Sequence, residues 1–349
     1  MATIKEVAEL AGVSVGTVSN VLAGTVPVRP ALRDRVLRAI QKLDYHPNQV
    51  ARSLKVKQTK MIGMVIPDVT NPFFPQLVRG AEDVAFSRGY LLVTLNTDDD
   101  AGREKQILSI LRSRRLDGVL LVTAPNDGNV SHINDAVAAG LPIVCVDRVP
   151  PGMKLDSVSV DSVEGATVAV RHLISMGHKR IGIITGSLQL TTAADRLKGY
   201  RAAMKEANLE VAPDLIREGS FRVDSGWRLG KELLLMQNPP SAIFVSNALM
   251  MVGVLRALEE TGIQCPEGVA LACFDDLPVA DVFRPHITTV SQPAYEIGRR
   301  SADLLLDRIE GKEVSKTPRR IRLMPELKIK ESSAPHLSNG FRQFRAAAV

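Results

Sequence analysis

Apolar positions along the chain follow different periods in different regions, and the changes of period divide it before any other property is considered. In residues 1–46 the period is helical. Ile4, Val7, Ala8 and Leu10 recur near the spacing of an amphipathic helix, Gly12 supplies a turn, and Ser14 is a good N-cap for a second short helix. In that second helix Val18, Val21 and Leu22 face the first, while Val15, Gly16, Thr17 and Asn20 point outward. A third helix is predicted over about Ala31 to Leu43, with Leu32, Val36, Leu37, Ile40 and Leu43 on one face. Pro47 ends this unit. The following NQVARSL can make one short helix capped by Asn48, with Val50, Ala51 and Leu54 on a single side. A helix that short is marginal alone, because nucleation dominates below roughly 12–15 residues.

From Met61 onward short apolar, β-branched runs alternate with helical patterns. The runs are MIGMVIP, YLLVTLN, GVLLVT, PIVCVD, IGIITG, SAIFVS and GVALACF. Between them lie amphipathic stretches such as Phe74 to Arg88, Glu104 to Arg114, Val163 to Met176, Asp195 to Ala207, Ser225 to Met236 and Leu249 to Glu260. This βαβ rhythm predicts parallel sheets covered by helices on both faces, and the number of runs predicts two such units of about 100–130 residues each. Ligands in such folds sit at the carboxyl ends of the strands. Ala334 to Val349 lack periodicity and read as a loose tail.

Charge changes the picture of the first region. Of 44 basic and 38 acidic residues, the first 60 positions hold ten and four, leaving 34 of each sign in the rest. The whole formal excess of +6 therefore sits on the helical head. Two short helices joined by a tight turn, on a head that carries all the excess positive charge, have the layout of a helix-turn-helix that places its second helix in a DNA major groove.

The remaining composition mainly excludes. At 349 residues, 45% hydrophobic and 23% charged, the chain has an ordinary globular composition. It shows no signal-peptide pattern and no apolar run near the roughly 18 residues that span a bilayer, so no membrane partner and a cytoplasmic location are expected. Cys145, Cys265 and Cys273 are an odd count in apolar surroundings and read as buried reduced thiols, not as disulfides or a metal site. Phosphate-loop, GxGxxG, HExxH and GxSxG signatures are missing, so neither an enzyme nor a cofactor is expected. The acid runs Asp98-Asp99-Asp100 and Asp275-Asp276 read as solvated loop residues.

The order of motifs resembles the lactose/galactose repressor (LacI/GalR) family over nearly the whole chain. The match runs from TIKEVAELAGVSVGTVSNVL and YHPNQVARSL through NPFFPQLVRGAE, LDGVLL, ISMGHKRIGIITG, DRLKGYRAAM, FDDLPVA, TTVSQP and IGRRSADLLLDRI to PEL. The first 61 residues look especially like the purine-repressor branch. The resemblance implies a small all-α helix-turn-helix head plus an α/β regulatory domain of the type I periplasmic-binding-protein fold, with an effector cleft between two subdomains. It also implies a homodimer whose heads occupy the half-sites of a pseudopalindromic double-stranded DNA operator, controlled by a small-molecule effector.

On this reading residues 1–46 are the head, 47–60 the hinge helix and linker, 61–333 the effector-binding and dimerisation domain, and 334–349 the tail. The two subdomains are expected at about 61–160 with 291–322, and at about 161–290 with 323–333. The DNA contacts implied are Thr3, Ser14, Val15, Gly16, Thr17, Ser19, Asn20, Asn48, Val50, Ala51 and Leu54. Leu54 stands where the family wedges a hinge-helix leucine into the central minor groove. Asn20 stands where many relatives carry Arg, and Asn can pair with adenine or contact phosphate.

The effector contacts implied are Asn71, Phe73, Phe74, Asp147, Arg148, Thr192, Arg196, Phe221, Asn247, Asp275 and Gln292. Apart from Thr192, they match positions that ribose-type binders use, which favours a ribose-like pentose. A purine base stacking on Phe74 and Phe221 is the alternative.

Overall fold

The computed structural model describes residues 2–23, 26–45, 58–125, 128–150, 152–277, 282, 284–312 and 317–333. The hinge positions Asn48, Val50, Ala51 and Leu54 and the tail 334–349 lie outside the described residues. The chain divides into two units, Met1–Thr59 and Lys60–Val349.

In the first unit α1 (Ile4–Ala11), α2 (Val15–Ala23) and α3 (Pro30–Lys42) close around Val7, Ala8, Ala11, Val18, Val36, Ala39 and Tyr45. Thr3 opens α1 through a reciprocal cap: its hydroxyl accepts from the Glu6 amide, and its own amide donates to Glu6 Oε2 at 2.7 Å. That bonding holds the Glu6 carboxyl below its ordinary range. Gly12 ends α1 in the left-handed conformation (φ 61°), which glycine adopts without a Cβ penalty. Arg35 Nη2 of α3 donates to the Gly12 carbonyl at 3.1 Å and ties the third helix to the turn.

Leu10 and Leu37 do not take the core positions expected of them; each is 46% exposed. At 100° per residue Leu10 falls on the far side of α1 from Ala8, and Leu37 lies a quarter turn from Val36. Ala11 and Ala39 occupy the core instead.

In the second unit the strands are β1 (Met61–Ile66), β2 (Leu91–Asn96), β3 (Gly118–Leu121), β4 (Ile143–Val146), β5 (Asp156–Val160), β6 (Ile181–Thr185), β7 (Ile216–Glu218), β8 (Ala242–Val245), β9 (Ala270–Phe274), β10 (Thr288–Ser291), β11 (Arg320–Leu323) and β12 (Glu326–Lys328). They form two six-stranded sheets, ordered β11-β5-β4-β3-β1-β2 and β12-β10-β9-β8-β6-β7. The first sheet is parallel throughout. The second is parallel except that β12 pairs antiparallel with β10. β11 runs toward the gap between the sheets, and only Met324 and Pro325 follow before β12, so the chain enters the second sheet from its carboxyl side and β12 runs against β10.

Helices cover both faces of each sheet, and the central strands are buried on both sides. The helices Phe73–Ser87 and Ala294–Ile309 approach so closely that a Cβ on Gly298 would stand 1.9 Å from the Leu77 carbonyl oxygen. Cys145 and Cys273 are buried thiols with pKa values pushed up by burial, to about 12 for Cys145. Cys265, expected to be buried, is only half-buried, because it lies on a turn after Thr261 and not within a strand.

The chain crosses between the two sheets three times, at Asp161, at Gln292-Pro293 and at Met324-Pro325. Two of these crossings are bonded side by side, the Asp161 amide donating to the Leu323 carbonyl at 2.9 Å.

Candidate effector cleft and DNA-reading head

The carboxyl ends of the parallel strands face the gap between the two sheets, and several of them deliver a candidate site residue. Asn71 follows β1, Asp147 and Arg148 follow β4, Phe221 follows β7, Asn247 follows β8, Asp275 follows β9 and Gln292 follows β10. Phe73 and Phe74 begin the helix Phe73–Ser87, and Thr192 and Arg196 lie in the first turns of Thr191–Glu206. These eleven residues together line one cavity, whose free interior is small, about 20 Å³.

Three of them, Asp147 (φ 62°), Phe221 (φ 57°) and Asp275 (φ 79°), hold left-handed backbone conformations. Such residues cost about 1–3 kcal/mol each and persist where the surroundings over-determine them.

Four charged groups meet in the cavity, and their formal charges cancel. Arg196 is 4% exposed; its Nη1 donates to the Ser246 carbonyl at 2.6 Å, and its guanidinium lies 3.7 Å from the centre of the Phe274 ring. Arg148 Nη1 donates to Asp99 Oδ1 at 2.5 Å and to the Thr123 carbonyl at 3.2 Å. Gln292 Nε2 donates to Asp275 Oδ1 at 2.5 Å. Asn247 caps the helix Ala248–Thr261 through Oδ1, which accepts from the Met250 amide, while its Nδ2 donates to the Phe221 carbonyl.

Burial pushes the Asp147 carboxyl up to about 6, against the pull of Arg196 and Arg148 and with a further push from Asp275. Burial raises Asp275 as well, and it lowers Arg196, which the two carboxylates partly restore.

This network is incomplete in one respect. Asp147 Oδ1 and Gln292 Oε1 are buried acceptors without a partner, and Arg148 Nε and Arg196 Nε are buried donors without one. An unsatisfied buried polar group costs about 1–3 kcal/mol, so four converging on one cavity describe a site shaped for something that supplies both donors and acceptors.

Two residues that sequence reasoning passed over belong to this region. Asp99 holds Arg148, and Arg222 Nη2 reaches from the second subdomain to the Asp98 carbonyl at 3.3 Å. The acid runs are therefore not merely solvated: Asp98 also pairs with Arg103, Asp100 caps the helix Ala101–Ser113, and Asp276 accepts from Thr289, Ser291 and Lys328. Their polar partners lie elsewhere in the chain or in the following turn, which composition alone does not reveal.

In the head, Ser14 Oγ accepts from the Thr17 amide at 3.1 Å and lies 3.0 Å from Thr17 Oγ1. Val15 and Gly16 are exposed, Thr17, Ser19 and Asn20 are half-buried, and Val18 is fully buried. One face of α2 thus packs and the other is open to a groove. Among the described residues no group of three or more His, Cys, Asp or Glu is placed to hold a metal, and no helix is long and apolar enough to cross a membrane.

Residues 3–48 match the family described as bacterial regulatory proteins, lacI family, and residues 170–333 match the periplasmic binding protein-like domain. The HTH-type transcriptional repressor PurR of Aliivibrio salmonicida (strain LFI1238) is 36% identical over 318 residues, covering 89% of this chain and 93% of the relative. The lac repressor dimer bound to operator and the anti-inducer ONPF superposes with a TM-score of 0.85 at 26% identity, covering 95% of this chain and 99% of that one. A LacI family transcriptional regulator from Enterococcus faecium with bound ribose superposes with a TM-score of 0.70 at 28% identity, covering 79% and 100%. The helical head, the two-sheet regulatory unit and these likenesses agree on a class of regulators and not of enzymes. The chain is a DNA-binding repressor of the lacI family of bacterial regulatory proteins.

Proposed function

We propose that operator binding by this repressor is controlled by a small neutral monosaccharide, a ribose-like pentose, bound in the cavity between the two subdomains. The four unpartnered buried atoms carry this reading. Each hydroxyl both donates and accepts, so one polyol ring can meet Asp147 Oδ1 and Gln292 Oε1 as acceptors and Arg148 Nε and Arg196 Nε as donors. Phe73, Phe74 and Phe221 supply apolar faces for the ring. Two carboxylates against two guanidiniums leave no surplus cation for a phosphate, which favours an uncharged ligand.

The purine reading is kept as the second because relatives such as the Aliivibrio protein are named PurR. A planar base would stack on Phe74 and Phe221. It would offer fewer groups that both donate and accept.

On the DNA side, the open residues of α2 (Val15, Gly16, Thr17, Ser19 and Asn20) meet base edges and phosphates, with Ser14 and Thr3 at the helix starts. Two copies of the chain set two heads on a pseudopalindromic operator, and the hinge segment with Asn48, Val50, Ala51 and Leu54 inserts Leu54 at the central step. The effector acts by favouring one of two conformations of the regulatory unit.

Calorimetry on the full-length protein with D-ribose, hypoxanthine and guanine tests the effector assignment. Ribose binding that shifts operator affinity supports it. Tight binding of a purine with no response to any sugar replaces it with the second reading.

A further inference from the structure

A second, shallow pocket adjoins the effector cavity and shares Asn71, Phe74, Arg148 and Phe221 with it. Arg222 and Asp99 form part of its wall. Here the subdomains touch: Arg222, at the start of the helix Val223–Leu234, sends Nη2 to the Asp98 carbonyl on the loop after β2.

Both ends of this contact are held in uncommon backbone conformations. Asp98 (φ 57°) and Asp99 (φ 61°) are left-handed on one side, and Phe221 (φ 57°) on the other. The turn at Phe221 buries that ring in the cavity while the next residue, Arg222, points out over the opening. The two aspartates likewise divide their work, since Asp99 takes the buried Arg148 and Asp98 offers its carbonyl to Arg222. Arg148 lines both chambers and has an unpartnered Nε. The group expected to bind an occupant is thus one residue removed from the contact that bridges the mouth.

We infer that Arg222 is a specificity-determining clasp that shuts the outer chamber over an unsubstituted monosaccharide and rejects ligands carrying a group that would extend into that chamber. The inference rests on the effector reading above and adds a size limit to it. A free pentose leaves the outer chamber clear, so the clasp closes and slows escape. In this proposal the glycosidic position of the pentose turns toward the outer pocket, so a substituent there fills the space that Arg222 and the 97–100 loop must cross.

The test compares the full-length protein with its Arg222→Ala variant in three measurements. With D-ribose as probe, the variant should release ligand about tenfold faster, because nothing then holds the mouth shut over it. With methyl β-D-ribofuranoside as probe, the ratio of its affinity to that of ribose should rise several-fold in the variant. Without ligand, backbone hydrogen exchange over residues 97–103 should accelerate once Arg222 no longer holds the loop.

Unchanged ribose release together with unchanged discrimination overturns the clasp. Failure of the parent protein to bind either pentose overturns the effector reading instead, and the exchange measurement then decides the clasp: equal exchange in the two proteins refutes it.

Discussion

Gln292 donates to Asp275 at 2.5 Å, and the two residues belong to different kinds of structure. Asp275 follows β9 inside the second subdomain, whereas Gln292 lies on a segment that crosses to the first. The bond uses the Gln292 amide nitrogen and leaves Oε1 buried and unpartnered in the cavity. A ligand hydroxyl that satisfies Oε1 therefore acts on a residue of the crossing itself. On the proposed effector reading, occupancy of the cavity reaches the crossing through that side chain.

Arg196→Ala should produce the largest single loss of effector affinity. Its guanidinium is buried, stacked on Phe274 and short of one partner at Nε, so truncation removes a multidentate donor and strands ligand acceptors. The expected cost is about 2–3 kcal/mol, near a hundredfold in Kd. Operator affinity without ligand should barely change. Calorimetry and operator titration on the same preparation check both halves, and undiminished sugar binding would sink the assignment of the cavity.

Asp147 should impose opposite pH dependences on stability and on binding. Its folded pKa of about 6 lies above the ordinary 3.8, so its contribution to stability is fully present below the unfolded value and is lost as pH rises through 6. Between pH 4 and 7 this group should cost the ligand-free protein on the order of 2–3 kcal/mol. Effector binding needs the ionised acceptor, so affinity should weaken as pH falls below about 6. Asp147→Asn should flatten the stability profile in denaturant titrations across that range. An unaltered profile would show that another group is responsible.

Gly298→Ala should destabilise the regulatory unit although it adds a single methyl. The new Cβ would lie 1.9 Å from a backbone oxygen of Leu77, and backbone in a packed helix pair cannot step aside as a side chain can. Overpacking of this kind costs about 1–3 kcal/mol. A thermal melt of the variant reads it directly, and an unchanged Tm would mean that the helix pair separates more easily than its packing implies.

Operator affinity should fall by orders of magnitude between 50 and 200 mM salt, because the formal excess of positive charge lies within residues 1–60 and each neutralised phosphate releases counterions. The 61–349 fragment should not bind operator. Retained affinity in that fragment would move the DNA-binding surface off the head.

The sequence made the central strands visible because strands buried on both faces are written as unbroken apolar runs, as in β1, β3, β4, β8 and β9. It concealed the strands whose pattern is polar or short. β7 reads IRE and β12 reads ELK, and their edge positions spare them an apolar code, while β5 reads DSVSV although it is internal and buried, its Asp156 being satisfied by Arg308 and the Arg319 amide. The helix Ser131–Ala138 was equally quiet, since only Ile133 and Ala136 are buried.

In the cavity, residue types and their places in the motifs indicated the lining. The links among them were hidden, because Asp99 meets Arg148 across 49 positions and Asp98 meets Arg222 across 124. Contacts of that kind leave no local trace in a periodic pattern. Leu10 and Leu37 show the converse failure, in which hydrophobicity suggested the core and geometry put the residue outside.

Three parallel crossings give the regulatory unit something a single linker would not. Two bodies joined by one segment can swivel in many directions, but three connecting segments, two of them bonded side by side at Asp161 and Leu323, restrict the ways they can turn. Whatever chemistry fills the cavity, the two halves can turn only as those crossings allow. Gln292 alone belongs to both the cavity wall and a crossing; the other lining side chains lie off the crossings, so most of the cavity can be rebuilt for another molecule without touching the segments that join the two halves.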